Sequence, residues 1–510
     1  MGRDGTVEAV LVGGPRSLFI PDLPKSRGGR WRLRGLRLVH THLQEEPLSQ
    51  DDLMDLVFLR LDCVAAIQVD PHGGATQLEI AHISPQIHLD RHGWEILTPI
   101  PCHEPHVDFQ DLVQALEEEL ERNRLAIPAS RQEDRAILVG VANTDKESAR
   151  RSMDELVELA GTSGILAADT IIQRQRQVSS KYLIGKGKLS EIVLRALQCG
   201  VDLLIFDQEL NPSQVRSITD TTELRVIDRT QLILDIFARR AQSREGKIQV
   251  EMAQLKYLLP RLGMKDDALS RLTGGIGTRG PGETTLEINR RRIKDRIAHL
   301  ETQLEQVRKG RAQRRSKRVR ERMPIVSIVG YTNAGKSTLL NTLTKSLVFV
   351  ENKLFATLDP TSRRLRFPRD LEVIITDTVG FIRELPKDLL DAFAATLEEL
   401  DDADLLLHVV DISNPQFVEQ MEAVDRILAE IGLHDKETML VFNKADLADP
   451  EFIGIQLMRY GGVAVSALSS KTLEPLILEM QDHIETLLEQ GVFAPTSPSQ
   501  QKRLEPELCQ

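Results

Sequence analysis

Cysteine is scarce in this chain of 510 residues, and its four cysteines (Cys63, Cys102, Cys199 and Cys509) include no Cys-x-x-Cys pair. Their scatter argues against a zinc ribbon and against a disulfide framework, so a reducing cytosol fits best. Long apolar runs are also lacking: no stretch approaches the ~18 residues of a membrane span, and the N-terminus has no apolar leader core. We predict a cytoplasmic protein without a membrane span, with peripheral membrane association left open.

An excess of positive charge is absent as well, because the formal net charge at pH 7 is -11. This balance argues against nucleic acid wrapping the whole surface, although a local basic stripe stays compatible with it. The length exceeds the roughly 250–300 residues at which single hydrophobic cores stop growing. Several domains are therefore expected.

Residues 1–130 carry few readable patterns, and we assign them an N-terminal extension with its own fold and an unknown role. His40 and His42, in LVHTHL, would share one face of a strand. A metal ion would suit such side chains, but their spacing matches no recognised ligand motif. Ordinary surface or core histidines are the favoured interpretation.

Apolar runs begin to alternate with helix-like segments from about Arg135. This alternation is typical of βαβ units with a parallel sheet, so the predicted fold class is α/β, with an α/β domain over residues 131–228. The runs are AILVGVA (136–142), GILAADTII (164–172), VDLLIF (201–206) and LRVID (224–228).

Two helical stretches within residues 229–322 each carry an apolar seam with the four-three spacing of a coiled coil. The seams consist of Ile248, Met252, Leu255, Leu259 and Leu262, and of Ile293, Ile297, Leu300, Leu304 and Val307. An antiparallel helical hairpin would bury both seams. The second helix, predicted over 284–322, would be about 55 Å long.

The segment that joins these helices contains the glycine-rich stretch RLTGGIGTRGPGETTLE (271–287). Glycines permit close backbone approach to another surface, so the tip at 272–283 is predicted to be a presented probe. A plain hairpin turn is the alternative. The second helix ends in VRKGRAQRRSKRVRER (307–322), with nine basic residues and one acidic residue. This stripe suits RNA phosphates and also suits a solvated helix face.

The sharpest motif is PIVSIVGYTNAGKSTLLNTL (324–343), in which an apolar strand leads into a glycine-rich loop and an amphipathic helix. Gly330, Gly335, Lys336 and Ser337 have the spacing of a P-loop in its required strand–loop–helix setting. Backbone N–H groups would cradle the phosphates, Lys336 would meet the β- and γ-phosphate oxygens, and Ser337 would ligate Mg²⁺. The phosphate cradle is therefore expected here and not in the glycine-rich tip.

Two later stretches distinguish a switch from a kinase. In LEVIITDTVGF (371–381), Asp377 follows an apolar strand and can hold Mg²⁺ through water, and the Gly380 N–H can meet the γ-phosphate. In MLVFNKADL (439–447), the Asp446 carboxylate can accept two hydrogens from the guanine edge, whereas adenine offers neither. The ordered set predicts a GTP site.

This ordered set resembles a translational-type GTPase, and more closely the HflX family. The G-domain resemblance covers about residues 324–490, and the family-specific part adds the blocks at 211–262 and 274–287. The sequence departs from the family at Thr285, where glutamine is usual, and in its extension before residue 135. The implied organisation is an HflX-type N-terminal domain (131–228), a helical hairpin (229–322), a P-loop GTPase domain (323–490) and a polar C-terminal tail (491–510) expected to be disordered.

The resemblance implies a GTP-hydrolysing switch protein that binds the large ribosomal subunit through its rRNA and helps to dissociate or rescue stalled ribosomes. It also implies Mg²⁺ as cofactor, and we expect a monomer. The tip residues expected to face RNA are Gly274, Gly275, Gly277, Arg279, Gly280 and Gly282. The predicted GTP-binding residues are Gly330, Tyr331, Thr332, Asn333, Ala334, Gly335, Lys336, Ser337, Thr338, Phe355, Ala356, Thr357, Leu358, Asp359, Asp377, Thr378, Val379, Gly380, Asn443, Lys444, Ala445, Asp446, Ser466, Ala467 and Leu468.

Among these residues, Lys336, Thr357 and Gly380 are the predicted catalytic residues, and Ser337, Thr357 and Asp377 are the predicted metal ligands. Thr361 is the alternative to Thr357 as the threonine that senses γ-phosphate and magnesium.

Two positions near the phosphates set further expectations. Phe381 stands where many GTPases place a water-orienting glutamine, so hydrolysis should be slow without a bound partner. Asn333 matches the asparagine with which potassium-activated GTPases ligate K⁺, although asparagine also suits a tight loop.

Other classes of protein fit less well. Asn443, Lys444 and Asp446 argue against a metabolic P-loop kinase or ATPase. A membrane-remodelling GTPase would need an amphipathic or apolar anchor, which we do not find. A tRNA-modification-type GTPase is the main alternative, but it should lack the tip at 272–287.

Overall fold

The computed structural model describes residues 1–14, 18–21, 23, 32–43, 46–86, 93–103, 107–126, 134–142, 146–175, 179–264, 285–321, 323–344, 354–355, 361–369, 371–383 and 400–489. They form two compact units, Met1–Leu232 and Ile233–Gln510. Across the described helices, none combines the length and apolar character that crossing a membrane requires.

The first unit begins with a five-stranded sheet. Its elements are β1 (Arg37–His42), α1 (Gln50–Phe58), β2 (Cys63–Val69), β3 (Ala75–Ile83), β4 (Trp94–Ile96), β5 (Ile100–Pro101) and α2 (Phe109–Ala126). The strand order is β1-β2-β3-β4, and β5 also pairs with β3. Strand β1 runs parallel to β2, whereas the other pairs are antiparallel. A capping box between Ser49 and Asp52 starts α1.

A four-stranded parallel sheet follows in the same unit. Its elements are β6 (Asp134–Ala142), α3 (Lys146–Thr162), β7 (Ile165–Arg174), α4 (Lys186–Cys199), β8 (Leu203–Phe206), α5 (Pro212–Thr222) and β9 (Arg225–Asp228). The order is β7-β6-β8-β9, with every pair parallel. Each predicted apolar run therefore forms a strand, which confirms the βαβ prediction.

The two sheets of the first unit share one hydrophobic core. A single cluster of buried side chains runs from Leu53 and Leu56 of α1 to Ile192 and Leu197 of α4. Polar contacts join the same regions: Gln198 donates to the Ser84 carbonyl at 2.9 Å. The described parts of α1, α2, β2 and β3 are therefore packed against the α/β part of the unit.

Three helices precede the six-stranded third sheet: α6 (Arg229–Arg240), α7 (Arg244–Leu258) and α8 (Thr285–Glu321), with a 3-10 turn at Leu259–Met264. Of the seam predicted for α8, Leu300 and Leu304 are buried and the other three residues are half-buried, while most of their neighbours are exposed. Helices α7 and α8 are joined by a Glu251–Arg296 ion pair of 2.7 Å. The predicted tip lies outside the described residues.

The last domain is built on a six-stranded sheet of order β11-β12-β10-β13-β14-β15, antiparallel only between β11 and β12. Its hydrophobic core contains buried residues of strands and helices, such as Ile328, Leu339 and Val441. The strands are β10 (Ile325–Gly330), β11 (Thr361–Arg366), β12 (Glu372–Asp377), β13 (Leu405–Asp411), β14 (Thr438–Asn443) and β15 (Val463–Ala464). The helices are α9 (Lys336–Thr344), α10 (Phe417–Glu430), α11 (Pro450–Tyr460) and α12 (Glu474–Glu489).

Candidate nucleotide-binding site

The glycine-rich loop lies between the carboxyl end of β10 and the first turn of α9, as its sequence predicts. Gly330 has φ +146°, and a Cβ atom there would lie 2.2 Å from the Val409 carbonyl oxygen. Gly335 has φ +92°, and its Cβ would lie 2.2 Å from Nδ2 of Asn443. Both positions therefore require glycine, for the left-handed backbone and for the space alike.

Lys336 is buried beneath this loop. Its ammonium donates to the carbonyl oxygens of Gly330 at 3.0 Å and Tyr331 at 2.7 Å. Burial lowers the pKa of Lys336 to about 8, although the nearby Asp377 carboxylate acts in the opposite direction. A desolvated cation held by neutral oxygens gains strongly from an anion, so this position suits a phosphate group.

The two predicted metal ligands of the described residues lie together. The Ser337 hydroxyl, in the first turn of α9, donates to Oδ2 of Asp377 at 2.6 Å. Asp377 ends β12 and is fully buried. A hydroxyl and a carboxylate are hard oxygen ligands of the kind that Mg²⁺ prefers, so this donor set fits the predicted ion.

The chain after β12 returns to the glycine-rich loop. The Phe381 N–H donates to the Gly330 carbonyl at 3.1 Å, and the Thr332 N–H donates to the Phe381 carbonyl at 2.8 Å. A Cβ atom on Gly380 would lie 2.7 Å from Cγ2 of Thr332 and 3.0 Å from Nζ of Lys336. The backbone of Gly380 therefore lies directly beside the P-loop and the Lys336 ammonium.

Phe381 itself is buried, with 1% of its surface exposed. Its ring belongs to the interior, so this residue has neither the polar group nor the exposure needed to orient an attacking water. The hydroxyl of Tyr331 accepts a hydrogen bond from the Arg383 N–H at 2.8 Å. This bond holds the segment that follows Phe381 against the P-loop.

Asn443 joins two loops of the site. Its Nδ2 donates to the Ala334 carbonyl at 2.8 Å, and its Oδ1 accepts the Ala467 N–H at 2.9 Å. Sequence reasoning placed Asn443 at the guanine base but missed this linking role. Asn443 and Ala334 are 109 positions apart in the sequence, and they meet because β10 and β14 belong to the same parallel sheet.

Lys444 has φ +60° and donates to Oδ2 of Asp411 at 2.6 Å. Asp411 ends β13 beside Asn443 at the end of β14. It was missed by the sequence reasoning, although its place after an apolar strand was an available signal.

The residues predicted to select the base follow the carboxyl ends of β14 and β15. Asp446 is exposed in a short 3-10 helix, Ala445–Leu447. Ser466 and Ala467 are buried, whereas Leu468 is 81% exposed. The two loops are linked by the Ala445 N–H, which donates to the Val465 carbonyl at 3.1 Å, and the exposed Asp446 carboxylate suits a base with polar edge hydrogens.

The predicted switch loop is described only at its ends. Phe355, placed in the GTP-binding set, is buried and packs edge-to-face on Phe237 of α6 with ring centroids 4.6 Å apart. Phe237 was not anticipated. Thr361, the alternative sensor, lies in β11 opposite Asp377. Residues 356–360, including Thr357, lie outside the described residues.

The two RNA-facing predictions also fall largely outside the described side chains. The tip at 272–283 is not described, and the basic stripe is described as the helical backbone of α8.

A six-stranded sheet with a P-loop, a hydrogen-bonded Ser337–Asp377 pair beside it and an Asn-Lys-x-Asp loop after β14 defines a P-loop GTPase. Three family models match this chain: "GTP-binding GTPase N-terminal" at residues 150–238, "GTP-binding GTPase Middle Region" at 240–318 and "50S ribosome-binding GTPase" at 325–444. The chain belongs to the GTPase HflX family, because relatives with that name align with most of their own length.

Two such relatives illustrate the match. GTPase HflX of Lacrimispora saccharolytica is 48% identical over 356 residues, which cover 70% of this chain and 83% of the relative. GTPase HflX of Escherichia coli is 46% identical over 317 residues, which cover 62% and 74%. A crystal structure of a GTP-binding protein from Sulfolobus solfataricus in complex with GDP aligns at 26% identity and a TM-score of 0.37, covering 70% of this chain and 99% of that one.

Proposed function

We propose that this GTPase binds the large ribosomal subunit in its GTP-bound form and promotes the dissociation or rescue of stalled ribosomes. The observation that carries the proposal is the match of residues 325–444 to the family described as "50S ribosome-binding GTPase". The long helix α8 supports it, since 37 residues span about 55 Å and end in the basic stripe. Phosphate contacts from that stripe would supply affinity, and the tip at 272–283 would enter an RNA cavity.

In this proposal the nucleotide site works as a γ-phosphate sensor. Lys336 holds the β- and γ-phosphates, and the Gly380 N–H detects the γ-phosphate. Ser337, Asp377 and Thr357 would hold Mg²⁺, which neutralises charge on the phosphate oxygens when bound. Asp446 selects guanine. Because Phe381 and Arg383 are hydrogen-bonded to the P-loop, a change at the γ-phosphate beside Gly380 would reach residues 381–383 directly.

The buried Phe381 ring accounts for the expected need for a partner. No glutamine stands at this position to orient the attacking water, so the free protein should hydrolyse GTP slowly. The ribosomal subunit would supply the missing group or order the switch loop. One well-placed donor to a developing charge is worth about 10²–10³-fold in rate.

The test is GTP hydrolysis by the full chain with and without purified large subunits. We expect stimulation of about 10²–10³-fold and co-sedimentation with subunits in a non-hydrolysable GTP analogue but not in GDP. Co-sedimentation that ignores the nucleotide, together with unstimulated hydrolysis, would contradict the proposal. Stimulation by small subunits or tRNA alone would favour the tRNA-modification-type alternative.

A second prediction concerns K⁺ as an additional cofactor at Asn333. This residue has φ +63°, so a tight loop by itself favours asparagine. Asn333→Gly tolerates that backbone and removes only the side-chain amide. If the amide ligates K⁺, wild-type hydrolysis with ribosomal subunits is faster in K⁺ than in Na⁺, and the difference disappears in the variant. Equal wild-type rates in the two salts would exclude K⁺ activation.

A further inference from the structure

Two histidines and a carboxylate converge at the edge of the N-terminal sheet, far in sequence from the nucleotide motifs. His40 and His42 alternate with exposed residues along β1, so both rings lie on one face of this edge strand. Asp52 belongs to the first turn of α1. The Nε2 atoms of the two histidines are 2.9 Å apart, and they lie 3.2 and 3.4 Å from Oδ1 and Oδ2 of Asp52, respectively.

We propose that His40, His42 and Asp52 form a binding site for a divalent transition-metal ion, foremost Zn²⁺. Two imidazole nitrogens and one carboxylate oxygen are ligands that Zn²⁺ uses in proteins. The three ligand-bearing groups gather within 4.8 Å of one another. Their side chains are only 12–19% exposed, so the cluster is partly withdrawn from water.

The separations suit a tetrahedral ion. At Zn–N distances of about 2.0–2.1 Å, the ligand atoms of a tetrahedral site lie about 3.3–3.4 Å apart. The separation between Nε2 of His40 and Oδ1 of Asp52, 3.2 Å, is close to this value, and the His40–His42 separation of 2.9 Å is shorter. Nε2 of His42 lies nearest to Oδ2, at 3.4 Å, so a rotation of this ring toward Oδ1 would complete the geometry. Three protein ligands leave the fourth position of the ion to water.

The cluster is also oriented by its surroundings. Nδ1 of His42 lies 2.9 Å from the Glu46 carbonyl oxygen, which can only accept a hydrogen bond. This contact places the proton on Nδ1 and leaves Nε2 of the neutral ring with its lone pair toward the cluster. Ser49 donates its N–H and its hydroxyl to Oδ2 of Asp52, at 2.8 and 2.6 Å, which fixes the carboxylate and leaves Oδ1 for the ion.

The electrostatic setting favours a cation. Asp51 and Asp55 lie on the same helix as Asp52 and add negative potential, which Lys186 of α4 partly opposes. The ring of His40 is oriented for metal binding less firmly than that of His42, because Nδ1 of His40 is buried without a hydrogen-bond partner among the described residues. Since such orienting partners are worth about 10–100-fold in metal affinity, we expect binding weaker by that factor than at a fully supported site.

A bound ion would tie the edge strand to the first helix of the unit. Strand β1 lies at the end of the described strand order, next to β2, and α1 contributes Leu53 and Leu56 to the shared core. Cross-linking β1 to α1 therefore stabilises the N-terminal part of the unit. The first of the three matched family models begins at residue 150, so none of the three covers these ligands.

The test is Zn²⁺ binding by the full-length, tag-free chain after dialysis against EDTA, with no nucleotide present. We expect about one Zn²⁺ per chain at this site, and a higher melting temperature with the ion than without it. His40→Gln and His42→Gln should each lose both effects. His434→Gln is the matched control, because His434 also faces an aspartate, Asp435 at 3.3 Å, but lies exposed with no second histidine.

A readout without substitutions guards against variants that fail to fold. Zn²⁺ should protect His40 and His42 of the wild-type chain from modification by diethyl pyrocarbonate, while His434 keeps reacting. Absence of Zn²⁺ binding by the wild-type chain would overturn the proposal. Zn²⁺ binding that persists in folded His40→Gln and His42→Gln would also overturn it. So would modification of His40 and His42 that is equally fast with and without Zn²⁺.

Discussion

Asp446→Asn is expected to turn the preference of this GTPase from guanine to xanthine nucleotides. The Asp446 carboxylate is exposed next to Lys444, where it can accept hydrogens from N1 and from the 2-amino group of guanine. Asparagine keeps one acceptor but presents an N–H₂ group to the 2-amino group. The same N–H₂ group can donate to the 2-carbonyl of xanthine, so the complementary base changes.

The effect should be large. Two hydrogen bonds to a charged group are worth about 3–6 kcal/mol in total, which corresponds to roughly 10²–10⁴-fold in affinity. Titration of GDP and XDP against the wild-type and variant chains measures the loss and the gain separately.

Asp449→Asn serves as the matched control. Asp449 lies three residues further along and caps α11, with its carboxylate accepting the Glu451 N–H at 2.8 Å. Asparagine is an equally good helix cap, so this variant loses the same charge without changing the base site. Full GDP affinity in Asp446→Asn, with no gain for XDP, would show that Asp446 does not select the base.

The second large effect concerns the glycine-rich tip. Replacing Gly274, Gly275 and Gly277 by bulkier residues, or Arg279 by glutamate, should abolish ribosome-stimulated hydrolysis and subunit dissociation. Added side chains obstruct close backbone approach to RNA, and a carboxylate would meet phosphate in place of a guanidinium. GTP affinity should stay unchanged, because the P-loop lies some fifty residues away in the sequence. Nucleotide affinity, melting temperature and stimulated hydrolysis are measured on the same variants.

Arg426→Glu controls for the change in charge, since Arg426 is exposed on α10 of the GTPase domain. This variant should retain stimulation within a few-fold. If the tip is only a structural turn, the tip variants lose thermal stability while their folded fraction is stimulated normally. That result would exclude a role of the tip in RNA recognition.

Local sequence pattern was sufficient for much of the nucleotide site. The glycine spacing of the P-loop reflects steric demands that act within a few residues and at one neighbouring strand, as at Gly330 and Gly335. Ser337 and Asp377, both predicted as metal ligands, lie within hydrogen-bond distance of each other, because the carboxyl ends of neighbouring parallel strands meet at one edge. The α/β strands were found for a similar reason: their apolar runs are continuous and bounded.

Contacts that depend on long-range register were not predictable. Asn443 bonds Ala334, and Phe237 packs on Phe355, only because the fold brings distant segments together. Asp52 was not linked to His40 and His42 for the same reason, since nothing local marks a capping residue as a partner of a strand. Only the structure shows that α1 and α2 share the core of the α/β part.

That shared core bears on where the protein can be cut. Residue 150, where the N-terminal family model begins, lies within α3, after β6, the strand that pairs with both β7 and β8. A fragment starting there would lose this strand together with the helices that cover Ile192 and Leu197 of α4. Boundaries drawn from family resemblance thus pass through a folded interior. For truncation, limited proteolysis or domain exchange, the unit Met1–Leu232 has to be kept together, and a cut has to lie beyond α6, which spans Arg229–Arg240.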